Sequence, residues 1–155
     1  MKRVLLTGMS GTGKSTLIAE LAERGYKSVD LDEPGWSEYN TAGNWAWRED
    51  RVDELLKVED SEILFVSGCS ESQTRFYPLF DHVILLSAPA EILVARLMTR
   101  TTNQYGKRPE ELADVLHYLE TVEPLLRRTA SHEIDASAPL EAVLAAVLSV
   151  VQPSK

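Results

Sequence analysis

Cysteine is all but missing from this 155-residue chain: Cys69 stands alone, which excludes an intrachain disulfide and a multi-cysteine zinc site. A lone thiol of this kind reads as a small buried hydrophobe. Histidine is nearly as scarce, and His82, His117 and His132 fall at no metal-ligand spacing. No run reaches the roughly 18 apolar residues that a membrane span needs. Met1-Lys2-Arg3 leads straight into a strand-like segment rather than a signal peptide, so the expected location is the cytoplasm. Basic side chains are the minority, 16 against 24 acidic ones, and the formal charge of -8 argues against a surface built for long nucleic acid or anionic membrane.

What remains is the composition of one soluble domain spanning residues 1–155, expected as a monomer or weak homodimer, with only Gln152 to Lys155 as a loose tail. Short apolar runs at Arg3 to Thr7, Ile63 to Val66 and His82 to Leu86 read as buried strands of a parallel sheet. Ser28 to Leu31 and Ser131 to Asp135 supply two more. Helical spacing appears in Lys14 to Arg24, Pro89 to Arg100, Pro109 to Leu126 and Pro139 to Val151, with Pro124 expected to kink the third of these. Glu71 to Phe80 leaves room for only a short helix. Residues 36–58 form a cap, with a turn-like stretch from Trp36 to Asn44 and an exposed helix from Trp47 to Val58. Alternation of strand and helix along the chain predicts a three-layer α/β/α fold around a mostly parallel five-stranded sheet, with its ligands at the C-terminal strand ends.

Gly8-Met9-Ser10-Gly11-Thr12-Gly13-Lys14-Ser15-Thr16 satisfies G-x-x-x-x-G-K-[ST] between a predicted strand and a predicted helix. The chemistry needs these residue types. Gly8, Gly11 and Gly13, with Ser10, Thr12 and Thr16, let backbone N–H groups curl around phosphates. Lys14 offers a cation to the β and γ oxygens of ATP, and the Ser15 hydroxyl can ligate magnesium. Many P-loop ATPases also end an apolar strand in an acid that holds magnesium through water. Here Ile63 to Val66 runs into Ser67-Gly68-Cys69 instead, and the available carboxylates are Asp30 and Asp32, two residues apart on one face of an extended chain. One can anchor magnesium water and the other meet an acceptor hydroxyl. A solvated turn before Pro34-Gly35 is the plainer use of both.

The loop, Asp30-Leu31-Asp32-Glu33 and Gly43 to Arg48 together resemble the shikimate kinases within the nucleoside monophosphate kinase group. The resemblance implies a P-loop NTPase fold and transfer of the γ-phosphoryl group of ATP, with Mg2+, to a small acceptor. It implies Asp30 as the acid that steadies magnesium through water, Asp32 as the acid at the acceptor hydroxyl, and Arg48 as the holder of an acceptor anion. It also makes residues 100–109 a lid, with Arg100 as the mobile cation that stabilises the transferring group. Arg96, one turn earlier, can serve equally or pair with Glu91 or Asp81. Asp135 to Pro139 matches a loop that lies along adenine.

Two departures bear on the acceptor. A glycine-rich triplet of the family is Gly68-Cys69-Ser70 here, and Ser67-Gly68-Cys69 looks closer to the turn of some compact adenylate kinases, which puts Gly68 at the acceptor and keeps a nucleotide-like acceptor open beside a hydroxylated metabolite, while a tight strand exit is the plainer use of Gly68. An arginine before a late Pro-Leu-Tyr turn is replaced, since Thr121-Val122 precede Glu123-Pro124-Leu125-Leu126. Trp36, Trp45 and Trp47 all fall in the cap, where they either stack on a planar acceptor or pack in the core. The alternative function is a regulatory or accessory ATPase whose nucleotide state is read by a protein partner.

Overall fold

The structure, a computed structural model, describes residues 1–101 and 104–152. Residues 102 and 103 of the expected lid and 153–155 of the expected tail lie outside the described residues.

The core sheet is built from β1 (Lys2–Thr7), β2 (Lys27–Asp30), β5 (Ile63–Ser67), β6 (His82–Ser87) and β7 (His132–Asp135). Its order is β2-β5-β1-β6-β7 and every pairing is parallel. Side chains alternate across it as a strand period of two demands. Val4, Leu6, Phe65, Ile84 and Leu86 face α1 (Lys14–Glu23) and α6 (Leu140–Val151). Leu5, Leu64, Val66 and Val83 face the other way, onto α2 (Glu49–Lys57) and a 3-10 turn at Gln73–Leu79. On that second side α3 (Ala90–Thr99) and α5 (Glu123–Thr129) add Leu93 and Leu126 against Leu85. The helix α4 (Pro109–Thr121) stops just before α5, and Pro124 sits in the first turn of α5, where its missing N–H costs nothing.

The cap differs from its sequence reading. Ser37–Tyr39 is a strand, β3, paired antiparallel with β4 at Trp45–Trp47, so Trp47 lies in a hairpin and the helix after it begins only at Glu49. Asn40 makes the turn possible, its side-chain oxygen accepting from the backbone N–H groups of Ala42 and Asn44 at 3.0 Å each. Val52, Leu55 and Leu56 then bury one stripe of α2, about 1.5–3 kcal/mol for each side chain fully removed from water.

Each of the five parallel strands ends in a polar residue: Thr7, Asp30, Ser67, Ser87 and Asp135. This edge carries the loops that build the site. At one end it is braced by Glu133, which accepts from Ser87 Oγ at 2.7 Å and from Arg127 Nε at 2.9 Å, while Arg127 Nη2 also reaches Glu123 Oε1 at 2.8 Å. The hydrogen bonds from Arg127, then from Ser87, hold the Glu133 carboxyl below its usual range.

Candidate active site

Residues 8–13 pass from the end of β1 into α1 as a loop whose backbone folds on itself, Thr12 donating to the Met9 carbonyl from both its amide and its hydroxyl. Gly8 lies so near the Leu86 carbonyl that any Cβ there would collide with it. The loop is thus pinned between two strands by the lack of a side chain. Lys14 Nζ sits within it, donating to the carbonyls of Gly8 at 2.6 Å and Met9 at 3.1 Å.

A cavity of about 710 Å³ opens along this edge. The whole stretch from Ser10 to Leu17 lines it, with Asp30, Asp32, Glu33 and Pro34 on one side and Arg96, Thr99, Arg100, Ala136, Ala138, Leu140 and Val143 on the other. The expected adenine loop is therefore at the cavity wall. Its turn is set by Asp135, whose Oδ1 accepts from the Ser137 amide at 2.9 Å and hydroxyl at 2.6 Å. Arg96 ties that loop to the phosphate loop, donating to the carbonyls of Ala136 at 2.6 Å and Gly11 at 3.4 Å. Neither Glu91 nor Asp81 holds it: Asp81 accepts instead from the backbone of Arg3.

Arg100 caps the end of α3, its Nη2 lying 3.4 Å from Ser10 Oγ and 2.6 Å from the Tyr105 carbonyl. Burial lowers its pKa from the usual arginine value, with a smaller opposing effect from Tyr105. It thus joins the phosphate loop to the described part of the expected lid. Beyond it Lys107 Nζ reaches the Met98 carbonyl at 3.0 Å and Gly106 packs on Leu97.

Ser15 Oγ donates to Asp30 Oδ2 at 2.8 Å. Among the described residues no group of three or more His, Cys, Asp or Glu is arranged to hold a metal ion. Two hard oxygen ligands beside a phosphate loop suit magnesium, which keeps several waters and takes other ligands from phosphate. They would not suit an ion that needs a full protein cage. Ser67, where many ATPases place an acid, is fully buried and its hydroxyl has no partner among the described residues.

Asp32 follows two residues later. Its amide donates to Asp30 Oδ1 at 3.0 Å, and its Oδ1 accepts from Trp47 Nε1 at 3.2 Å and from the Cys69 amide at 3.3 Å. Burial raises the pKa of this carboxyl, with Lys14 opposing and Asp30 reinforcing the shift. Burial likewise raises the pKa of the Cys69 thiol, which packs against the apolar cluster of Met9, Leu85, Leu93 and Leu126 and is no activated nucleophile. Gly68 lies against the Trp47 indole and Asp32 Oδ1. Arg48 does not line the cavity: its guanidinium lies 3.8 Å from Asp50 at the surface.

The sequence pointed to the tryptophans without saying what they hold. Trp47 is buried against Phe76, Trp45 donates from its indole to the Asp32 carbonyl at 2.8 Å, and Trp36 lies under the Arg51 guanidinium at 4.6 Å. Gln73 was missed altogether. It is buried below the loop, donating to Thr7 Oγ1 at 3.1 Å and Tyr77 at 2.8 Å and accepting from the Ser70 amide at 2.9 Å. No local pattern marks a glutamine for that task.

A family profile described as an AAA domain matches residues 4–117. Shikimate kinase 2 of Pectobacterium carotovorum subsp. carotovorum (strain PC1) is 31% identical, over 97% of this chain and 96% of that protein. Among solved structures, the shikimate kinase of Bacteroides thetaiotaomicron superposes with a TM-score of 0.72 at 22% identity, covering 97% of this chain and 98% of the other. A gluconokinase of Sinorhizobium meliloti 1021 gives 0.65 at 21%, covering 96% and 90%. At such identities the structural likeness speaks to the fold.

Proposed function

The chain belongs to the shikimate kinase family of P-loop small-molecule kinases, and from that premise we propose that it moves the γ-phosphoryl group of ATP, with magnesium, onto an acceptor hydroxyl held at Asp32. ATP-dependent phosphoryl transfer to a small molecule is the activity of the family. The observation that carries the finer reading is the placement of Asp32, a shielded carboxylate at the wall of the same cavity as Lys14 and the phosphate loop.

In this reading the loop amides and the Lys14 ammonium take the β and γ phosphates, with the α1 N-terminus adding its dipole. Ser15, and Asp30 through water, would hold magnesium, which supplies charge neutralisation at the phosphate oxygens. Asp32 orients the acceptor hydroxyl and takes its proton as the oxygen bonds to Pγ, while the bond from Pγ to the β–γ bridging oxygen breaks and ADP leaves. Arg100 stabilises the charge spread over the equatorial oxygens. Residues 36–58 act as the acceptor cap and 100–109 as the lid.

Arg48 is proposed for an anionic edge of the acceptor. Its present partner does not oppose this, since an exposed pair such as Arg48–Asp50 contributes about 0–1 kcal/mol and is readily exchanged. Thr121-Val122, standing where the resemblance places an arginine, bring no cation, and Val122 packs against the apolar cluster of Met9 and Leu126, which supports an acceptor other than shikimate.

ADP release measured against a panel of hydroxylated acids, sugars and nucleotides, with shikimate and gluconate included, tests the proposal. Acceptor-dependent ADP formation with a phosphorylated product is expected. Turnover indifferent to every acceptor yet responsive to a protein partner would favour the regulatory ATPase.

A further inference from the structure

Asp32 is held at every polar atom but one. Its amide is engaged by Asp30, its carbonyl by the Trp45 indole, and its Oδ1 by both the Trp47 indole and the Cys69 amide. Oδ2 makes no hydrogen bond among the described residues, and Asp32 lines the cavity. A carboxylate can rotate about its terminal bond through a broad range. Two donors on one oxygen remove that freedom and leave the other oxygen presented.

The donors reach Oδ1 only because of what is absent at Gly68. A Cβ there would lie 2.8 Å from Trp47 Nε1 and 2.9 Å from Asp32 Oδ1, inside the hydrogen bond itself, and the residue's φ of +157° is rarely adopted by L side chains. Trp47 is in turn fixed by burial against Phe76 and by pairing of β4 with β3. The hairpin so hard to read in the sequence thus delivers two indole N–H groups to one aspartate.

We infer that Trp47 is a positioning residue: its indole N–H, admitted by the missing side chain of Gly68, locks Asp32 so that Oδ2 alone faces the acceptor hydroxyl. The inference rests on the reading of Asp32 given above and adds how that carboxylate is aimed. Near-attack geometry is sensitive to small displacements, so loss of the lock lowers turnover and leaves nucleotide binding alone.

The test uses the full chain and two independent readouts. Trp47→Phe keeps an aromatic ring against Phe76 and deletes the N–H. A hydrogen bond to a charged group, once removed, predicts a fall in kcat of about ten- to a hundredfold with KM for ATP unchanged. Gly68→Ala, which wedges the pair apart, should give the same signature. The second readout is the indole region of a 1H–15N spectrum, with Trp36→Phe and Trp45→Phe assigning the Trp47 resonance even if Trp47→Phe does not fold. Asp32→Asn should move the Trp47 indole resonance and leave that of Trp36 in place. A Trp47 resonance indifferent to Asp32→Asn, or wild-type kcat in folded Trp47→Phe, overturns the inference. If Asp32→Asn itself keeps full acceptor phosphorylation, the reading of Asp32 has failed, and that outcome is distinct from both.

Discussion

The Ser15 hydroxyl and the Asp30 carboxylate are joined at 2.8 Å, linking the first turn of α1 to the end of β2. If this pair holds magnesium as proposed, Asp30→Ala should raise the Mg2+ concentration for half-maximal activity about ten- to a hundredfold, as loss of an outer partner does at metal sites. An Mg2+ titration of ADP formation checks it. An unchanged midpoint would remove Asp30 from the metal.

Lys14 donates to loop carbonyls and stands outside the three apolar clusters. Lys14→Ala is therefore expected to fold with a melting temperature close to wild type while kcat drops about 10²–10³-fold, the loss seen when one transition-state donor is deleted. Steady-state kinetics beside a thermal melt decide the matter, and full turnover in the folded variant would refute the phosphate-site assignment.

Arg48→Ala should raise KM for the acceptor about ten- to a hundredfold, the cost of a charge-assisted hydrogen bond, with KM for ATP unaltered. An acceptor KM that stays at the wild-type value would make Asp50 the whole of its role.

For Arg100 the expectation is a kcat effect of about 10²–10³-fold that exceeds the loss in ATP affinity, because its contacts to Ser10 and the Tyr105 carbonyl place it between the phosphate loop and the segment proposed as a lid. Hydrogen exchange at Gln104 to Arg108 should slow when a non-hydrolysable ATP analogue binds. Unchanged protection together with a defect confined to ATP affinity would mark the segment as a fixed surface loop.

Glu133 gives a stability test away from the chemistry. Its carboxyl is held below the ordinary value of 4.5 by Arg127 and Ser87, so the unfolded chain takes up its proton first as pH falls. The stabilisation is complete above that value and is lost as pH drops through the lower folded pKa. Glu133→Gln should therefore flatten the acid limb of a urea-midpoint profile, while parallel profiles for the two proteins would show that the brace contributes nothing.

Much of the fold was legible because its signals are local. The phosphate loop is one contiguous stretch, and the apolar runs of β1, β5 and β6 read as buried strands from their own residues. The cap was not legible in the same way. Its strands are three residues long, too short to display a period, and Trp47 followed by α2 reads naturally as the start of that helix. The aim of Asp32 was harder still, since its donors lie 13, 15 and 37 residues away along the chain and meet only when β2 and β5 pair. Arg48 shows the converse: it matched by motif, yet its guanidinium turns to Asp50.

All three tryptophans stand in the cap, two of them with indole N–H groups on Asp32 and the third beneath Arg51. Tryptophan fluorescence, excited selectively beyond the tyrosine band, therefore originates wholly in residues 36–47, beside the aspartate proposed to meet the acceptor. An emission change on adding a candidate acceptor reports occupancy there without any label, and the unmodified chain is its own optical sensor for the search that would identify its substrate.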